Sequence, residues 1–220
     1  MSRVRVDLFS SLDGYTSAPE PDADNPMGED WGPLTAAYAA TRTFRRKVFG
    51  DTSGAGTTGL DESFAAAFFE GVGAEIMGAA MFGLHAFPDD PDWKGWWGDR
   101  PPFGYPVYVL THSAPRPSIP MAGGTTFEFR DGAIEDVLAE AQASADGLDV
   151  RVGGGVSTAR EFLRAGLVDD LHVAIAPILL ARGIRVWDDL RSLEATHAVQ
   201  TQVAESGTIH VTFTREDTSR

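Results

Sequence analysis

Three consecutive glycines, Gly153-Gly154-Gly155, follow the stretch Val150-Arg151-Val152 and precede Val156-Ser157-Thr158. No other segment constrains the fold as strongly. Glycines end a strand, because they bring wide backbone freedom and no side chain to pack. Ser157 to Ala165 then carry helical spacing and are closed by Gly166. A strand that feeds a helix through glycines predicts a β–α unit, and such units build parallel sheets. The same turn lets a ligand approach the backbone. The helix start behind it offers unpaired N–H groups and the positive end of a dipole, and Ser157 and Thr158 add hydroxyls. These features suit a pyrophosphate. The segment also reads as a plain tight turn with Ser157 as helix N-cap, and locally the two readings stand level. It is neither the dinucleotide fingerprint G-x-G-x-x-G nor a P-loop, since no Gly-Lys-Ser/Thr follows.

Other segments extend the alternation. Val4, Val6 and Leu8 alternate with Arg5, Asp7 and Phe9, a strand that runs into the turn dipeptide Asp13-Gly14. Thr16 to Pro33 reads as a long surface loop and Leu34 to Val48 as a helix. Asp51 to Gly59 is a loop, and Asp61 to Glu70 a helix with Phe64, Ala67 and Phe68 on one face. Ala74 to Gly78, Val107 to Leu110 and Thr125 to Phe129 read as strands. Phe87 to Tyr105 is a proline-rich loop whose Trp93, Trp96 and Trp97 either wall a substrate pocket or, the favoured reading, pin the loop to the core. Ile134, Val137, Leu138 and Ala141 mark a helix between Asp131 and Gly147. Leu171, Val173 and Ile175 form a strand, and Val199 to Ala204 with Thr208 to Thr214 a hairpin. The expected fold is α/β, a mostly parallel mixed sheet flanked by helices with a C-terminal antiparallel hairpin, in a single domain over residues 1–220.

The net charge of −14 argues against nucleic acid and anionic membranes as partners. The absence of cysteine excludes thiolate chemistry and disulfides. No stretch has the length of a membrane span, and the start of the chain lacks the apolar run of a signal peptide, so the expected location is the cytoplasm. Five scattered histidines without ligand spacing predict no metal. Asp13, at the end of the first strand, is the first candidate for a proton donor and equally reads as an Asx turn with Gly14. Asp61 and Glu62 are second candidates, or simply the acids that favour a helix start.

Four segments in order resemble the RibD C-terminal, dihydrofolate-reductase-like family. They are Ser11-Leu12-Asp13-Gly14-Tyr15, Ile76-Met77-Gly78-Ala79-Ala80-Met81-Phe82, Tyr105-Pro106-Val107-Tyr108-Val109-Leu110-Thr111-His112, and Val152 to Pro177 with its glycine run and Gly166-Leu167-Val168-Asp169-Asp170. Gly95-Trp96-Trp97-Gly98 and Pro101-Pro102-Phe103 are similar to the stand-alone bacterial branch. The resemblance implies a dihydrofolate-reductase-like fold, NADPH as hydride donor, a small-molecule substrate and a homodimer. It implies that Gly153, Gly154, Gly155, Val156, Ser157 and Thr158 cradle the pyrophosphate and that Leu110 and Thr111 line the adenosine side. Gly78 and Ala79 would approach the ribose, with Ser10 and Ser11 near the nicotinamide. The sequence departs from the family where Ala79 replaces its usual Arg or Lys, which leaves NADH as well as NADPH a candidate donor. It departs also at Leu180-Ala181-Arg182-Gly183 and at Val152, where the riboflavin-pathway reductases carry Glu. The expected activity is an NAD(P)H-dependent reduction of a small heterocycle, carbonyl or imine. The alternative is a protein that binds NAD(P)H without turnover.

Overall fold

The computed structural model describes residues 2–16, 28–87, 90–112 and 116–216. In chain order the elements are β1 (Val4–Ser11), β2 (Tyr15–Thr16), α1 (Trp31–Ala39), α2 (Arg42–Lys47), α3 (Leu60–Phe69), β3 (Val72–Gly78), α4 (Ala79–Phe82), β4 (Pro106–Leu110), β5 (Ile119–Pro120) and β6 (Thr126–Arg130). They continue with α5 (Ile134–Ser144), β7 (Asp149–Gly154), α6 (Val156–Arg164), β8 (Asp170–Ala176), β9 (Ile184–Arg185), α7 (Leu193–Thr196), β10 (His197–Val203) and β11 (Ile209–Arg215). These residues fall into two compact units, and β1 gives its first residues to one and the rest to the other.

Of the described residues, the first unit holds 2–6, 71–87, 90–112 and 116–168. Its strands run in the order β1, β7, β3, β4, β6, β5, and all the pairings up to β6 are parallel. Every residue of β3 is buried. That is why, Glu75 apart, it shows no alternation of apolar and polar residues, since a parallel strand is covered on both faces. On α5, Val137, Leu138 and Ala141 are buried, and on α6, Val156, Ala159, Phe162 and Leu163. Met77, Phe82, Val107, Val109, Phe127 and Phe129 form a core cluster. The tryptophans anchor their loop, as the sequence suggests. Trp93 donates its indole N–H to the Phe82 carbonyl at 2.9 Å, and Trp97 packs on Phe82, Phe103 and Phe127.

Of the described residues, the second unit holds 7–16, 28–70 and 169–216. Its strand order is β10, β11, β8, β1, with β10–β11 and β11–β8 antiparallel. The hairpin is the expected one. Phe9, Leu34, Tyr38, Phe44, Ala65, Ala174 and Ala176 make its core. A small sheet pairs Tyr15 with Arg185 and Thr16 with Ile184, which the sequence pattern does not reveal.

Three expectations shift. The helix read over Leu34 to Val48 is two helices, because Thr41 adopts an extended backbone and caps α2, its Oγ accepting from the Phe44 N–H at 3.2 Å. Most of the Thr16 to Pro33 loop lies outside the described residues, and α1 already begins at Trp31. Strand β7 continues through Gly153 and Gly154, so the turn narrows to Gly155 and α6 starts at Val156. Ser157 is therefore within the helix and caps nothing.

Candidate functional site

In open α/β sheets ligands bind beyond the carboxyl ends of parallel strands. In the first unit those ends are brought level by register: Gly78 of β3 pairs with Leu110 of β4, and Met77 pairs with Gly154 of β7. Gly78, Ala79, Leu110, Thr111 and the segment Gly153 to Thr158 thus share one edge. Ser11 lies in the second unit.

Each glycine of the run has a different reason. A Cβ on Gly153 would sit 2.1 Å from Oε1 of Glu75. Gly154 has φ +122°, a conformation L side chains rarely adopt, and joins Gly155 through a cis peptide. A Cβ on Gly155 would meet nothing within 4 Å, so that position is open. Gly78 lets α6 come close, since its Cβ would fall 2.4 Å from Oγ1 of Thr158.

Gly155 is the N-cap of α6, with no side-chain cap and no acid in the first turn. The first amides of a helix lack intrahelical acceptors, and the first turn carries no acid to compete for them. Val156 is buried, so only its backbone can face a ligand, while Ser157 is exposed and Thr158 half-buried. Glycine-lined approach, uncapped amides and two hydroxyls fit a diphosphate.

Beside this edge is a cleft of about 340 Å³ lined by Leu110, Thr111, Arg130, Ile134, Glu135 and Glu161, among others. Arg130 is already paired, with Glu140 at 2.8 Å and Glu128 at 3.4 Å. The Glu140 carboxylate holds its guanidinium above the usual arginine range. The lining thus holds two carboxylates, Glu135 and Glu161, beside Arg130 and His112.

In the second unit, Asp13 is saturated. Its carboxylate accepts from Ser11 Oγ at 2.5 Å and from the Leu180 and Ala181 amides at 3.1 and 2.8 Å. The Ser11 hydrogen bond, first among the causes, holds its pKa below the ordinary value. An ionised acceptor of this kind clamps the 180–181 backbone and is a poor proton donor. Glu62 accepts from the Thr43 amide and hydroxyl, which makes it a tie between α3 and α2.

What the sequence conceals is a row of polar groups under α3. His172 Nδ1 lies 3.1 Å from Asp7 Oδ1, His172 Nε2 lies 3.0 Å from His210 Nδ1, and His210 Nε2 lies 3.0 Å from Asp61 Oδ1. Phe64 stacks on both imidazoles at 4.1 and 4.5 Å. Asp61 thus spends its carboxylate on His210, and β1, β8, β11 and α3 each supply one member. Burial pushes the His210 imidazole below its usual pKa, against the opposing effect of its hydrogen bond to the Asp61 carboxylate. The folded protein therefore refuses a proton that the unfolded chain accepts. Stability is complete above the unfolded histidine pKa of about 6.5 and declines as pH falls below it, by at most about 1.4 kcal/mol per pH unit for one proton. Urea denaturation between pH 7.5 and 5 will show this decline, and His210→Asn will flatten it. Parallel pH profiles for the two proteins would remove His210 as its source.

Among the described residues, no group of three or more His, Cys, Asp or Glu could hold a metal, and no helix is long and apolar enough to cross a membrane. The family model of the RibD C-terminal domain matches residues 2–211. No curated protein matches the sequence. Among solved structures, a putative riboflavin biosynthesis protein from a Shewanella species is similar at 21% identity, covering 98% of this chain and 99% of that one, with TM-score 0.60. A bifunctional diaminohydroxyphosphoribosylaminopyrimidine deaminase/5-amino-6-(5-phosphoribosylamino)uracil reductase from Thermotoga maritima is 14% identical, covering 98% of this chain and 57% of that one, with TM-score 0.55. Dihydrofolate reductase from Enterococcus faecalis, complexed with NADP(H), is 12% identical over 98% and 97% of the two chains, with TM-score 0.50. The fold is dihydrofolate-reductase-like.

Proposed function

The chain belongs to the RibD C-terminal domain family, and from that membership we propose that it is a reductase that passes hydride from NADPH or NADH to a small heterocyclic, carbonyl or imine substrate. The observation that carries this reading is the uncapped start of α6 beside Gly78, where glycines alone keep the backbone accessible. There the amides of Val156, Ser157 and Thr158 and the two hydroxyls would hold the pyrophosphate. Leu110 and Thr111 would wall the adenosine. The bound dinucleotide supplies the hydride chemistry, and the protein supplies grip and orientation. The second reading, a protein that binds NAD(P)H without turnover, gains support from Asp13, whose carboxylate is already committed.

Ala79 decides the donor. A charge-assisted hydrogen bond is worth about 1.5–3 kcal/mol, or roughly 10- to 150-fold in affinity. Without it, tryptophan fluorescence titrations will give Kd values for NADPH and NADH within about tenfold of each other. Ala79→Arg will shift the ratio toward NADPH by about tenfold or more. Failure of both nucleotides to bind would sink the proposal. Oxidation of the bound nucleotide in the presence of dihydrofolate or an aminopyrimidine ribose phosphate would then separate the reductase from the silent binder.

A further inference from the structure

The row Asp7, His172, His210, Asp61 is fixed to the sheet at three of its four members. Asp7, His172 and His210 stand on β1, β8 and β11, which are neighbours in the sheet. Register sets Thr212 opposite His172 and Ala174 opposite His210, so the two imidazoles are diagonal neighbours on one face. Only Asp61 comes from outside the sheet. Helix α3 supplies it, and also lays Phe64 flat on both rings, at interplanar angles of 8° and 5°. The rings are out of water, with His210 1% and His172 8% exposed.

Charged and titratable groups face the two rings from every side of this packing. Asp7 does so from β1, Asp61 from α3 and Tyr38 from α1, its ring 6.2 Å from that of His210. Asp170 lies two positions from His172 on the same face of β8. The cross-strand neighbours, Gln202 of β10 opposite His210 and Thr212 of β11 opposite His172, are uncharged. The buried Tyr38 hydroxyl makes no hydrogen bond, so it does not tie α1 to the row.

A hydrogen bond between two imidazoles needs one N–H and one bare nitrogen. The 3.0 Å contact between His172 Nε2 and His210 Nδ1 therefore requires that at least one ring be neutral. When both are charged, every ring nitrogen carries a hydrogen, and the contact sets two donors and two like charges against each other in a dry site. The strands cannot relieve this without breaking the ladder between β8 and β11. Helix α3 can. Its hold on the row is one carboxylate and one stacked ring, its further tie from Glu62 runs to Thr43 of α2, and it starts at Gly59 with no side-chain cap. We propose that α3 is an acid-released cover: as the pH falls, proton uptake by the imidazole pair lifts α3 from the sheet and opens the row to water while the strands stay paired. With α3 raised, the His210 ring is hydrated and free to turn from His172. The row belongs to the second unit and the nucleotide edge to the first, so the test needs no nucleotide.

In a chain without cysteine, single introduced thiols report on single sites. Ala65 of α3 and Val173 of β8 are both 0% exposed, and Ser63 of α3 is exposed. Labelling rates with dithiodipyridine are measured for Ala65→Cys, Val173→Cys and Ser63→Cys between pH 7.5 and 5.5, and each buried rate is divided by the exposed one at the same pH. The Ala65→Cys ratio is expected to rise about tenfold, the limit for one proton taken up by an opened ring with a pKa of about 6.5. It is expected to fall back on return to pH 7.5, with Val173→Cys shielded throughout. Hydrogen exchange of the unaltered chain, read at α3 against β8 at each pH, makes the same comparison without a substitution. Adding His210→Asn or His172→Gln to Ala65→Cys is expected to abolish the rise, because one ring alone cannot set two imidazolium donors face to face. A ratio independent of pH, a rise shared equally by β8, or a rise that persists in both imidazole variants would each overturn the proposal.

Discussion

Replacing Gly153 by alanine will destabilise the protein by about 2–4 kcal/mol, whereas the same change at Gly155 will leave stability within about 0.5 kcal/mol and instead weaken nucleotide binding. At Gly153 the backbone itself tolerates alanine, since its φ is not in the left-handed region. The obstacle is space. The new methyl would lie 2.1 Å from Oε1 and 2.8 Å from Cδ of Glu75. A carboxylate can often swing aside, but this one is buried, bonded to the Arg151 Nε at 3.1 Å and to the Tyr105 hydroxyl at 3.3 Å. Either the pair breaks or β7 moves from β3. At Gly155 the methyl meets nothing, so the fold is indifferent to it. A diphosphate seated on the α6 amides would not be. Thermal or urea denaturation reads the first effect and fluorescence titration with NADPH the second. Native-like binding by Gly155→Ala would remove the glycine cradle from the proposed site. Native-like stability of Gly153→Ala would show that Glu75 is not held as the hydrogen bonds suggest.

The run of three glycines was thus legible as a feature but not as three separate reasons. Local sequence locates the end of a strand, yet only cross-strand register reveals that Gly153 faces Glu75 while Gly155 faces outward. The same limit explains Asp13. As the end of a strand before Gly14 it read equally as an acid or a turn former. Its partners, Leu180 and Ala181, lie far along the chain. His172 and His210 are 38 positions apart, and no spacing rule joins them until β8 and β11 pair. What was legible rests on periodicity and composition. The buried run of β3, the amphipathic faces of α5 and α6 and the terminal hairpin all follow from side-chain patterning. The break at Thr41 was missed because helical spacing continues across it, while the threonine side chain offers the backbone a competing cap.

Glu75 and Arg151 supply the second large effect. They stand directly opposite each other on β3 and β7, and each side chain is 1% exposed. Neither charge has water to fall back on. Removing one partner takes the directly bonded counter-charge from the other in a low-dielectric interior, which costs about 3–5 kcal/mol. Glu75→Leu and Arg151→Met are each expected to show that loss in chemical denaturation. The double variant Glu75→Leu/Arg151→Met is expected to recover most of it, since two apolar side chains of similar volume carry no desolvation penalty. The recovery will be incomplete, because the Tyr105 hydroxyl loses its acceptor and a buried, unsatisfied hydroxyl costs about 1–3 kcal/mol. Adding Tyr105→Phe to the double variant should return that remainder. The four stabilities give the coupling energy of the pair directly. Losses that simply add across the two single variants would mean that the ions do not depend on each other. The pair also sits under Gly153, so it bears on the site. If the ion pair sets the register of β3 against β7, the apolar double variant will fold stably and yet bind NADPH more weakly. If register comes from backbone pairing alone, binding will follow stability and return with it.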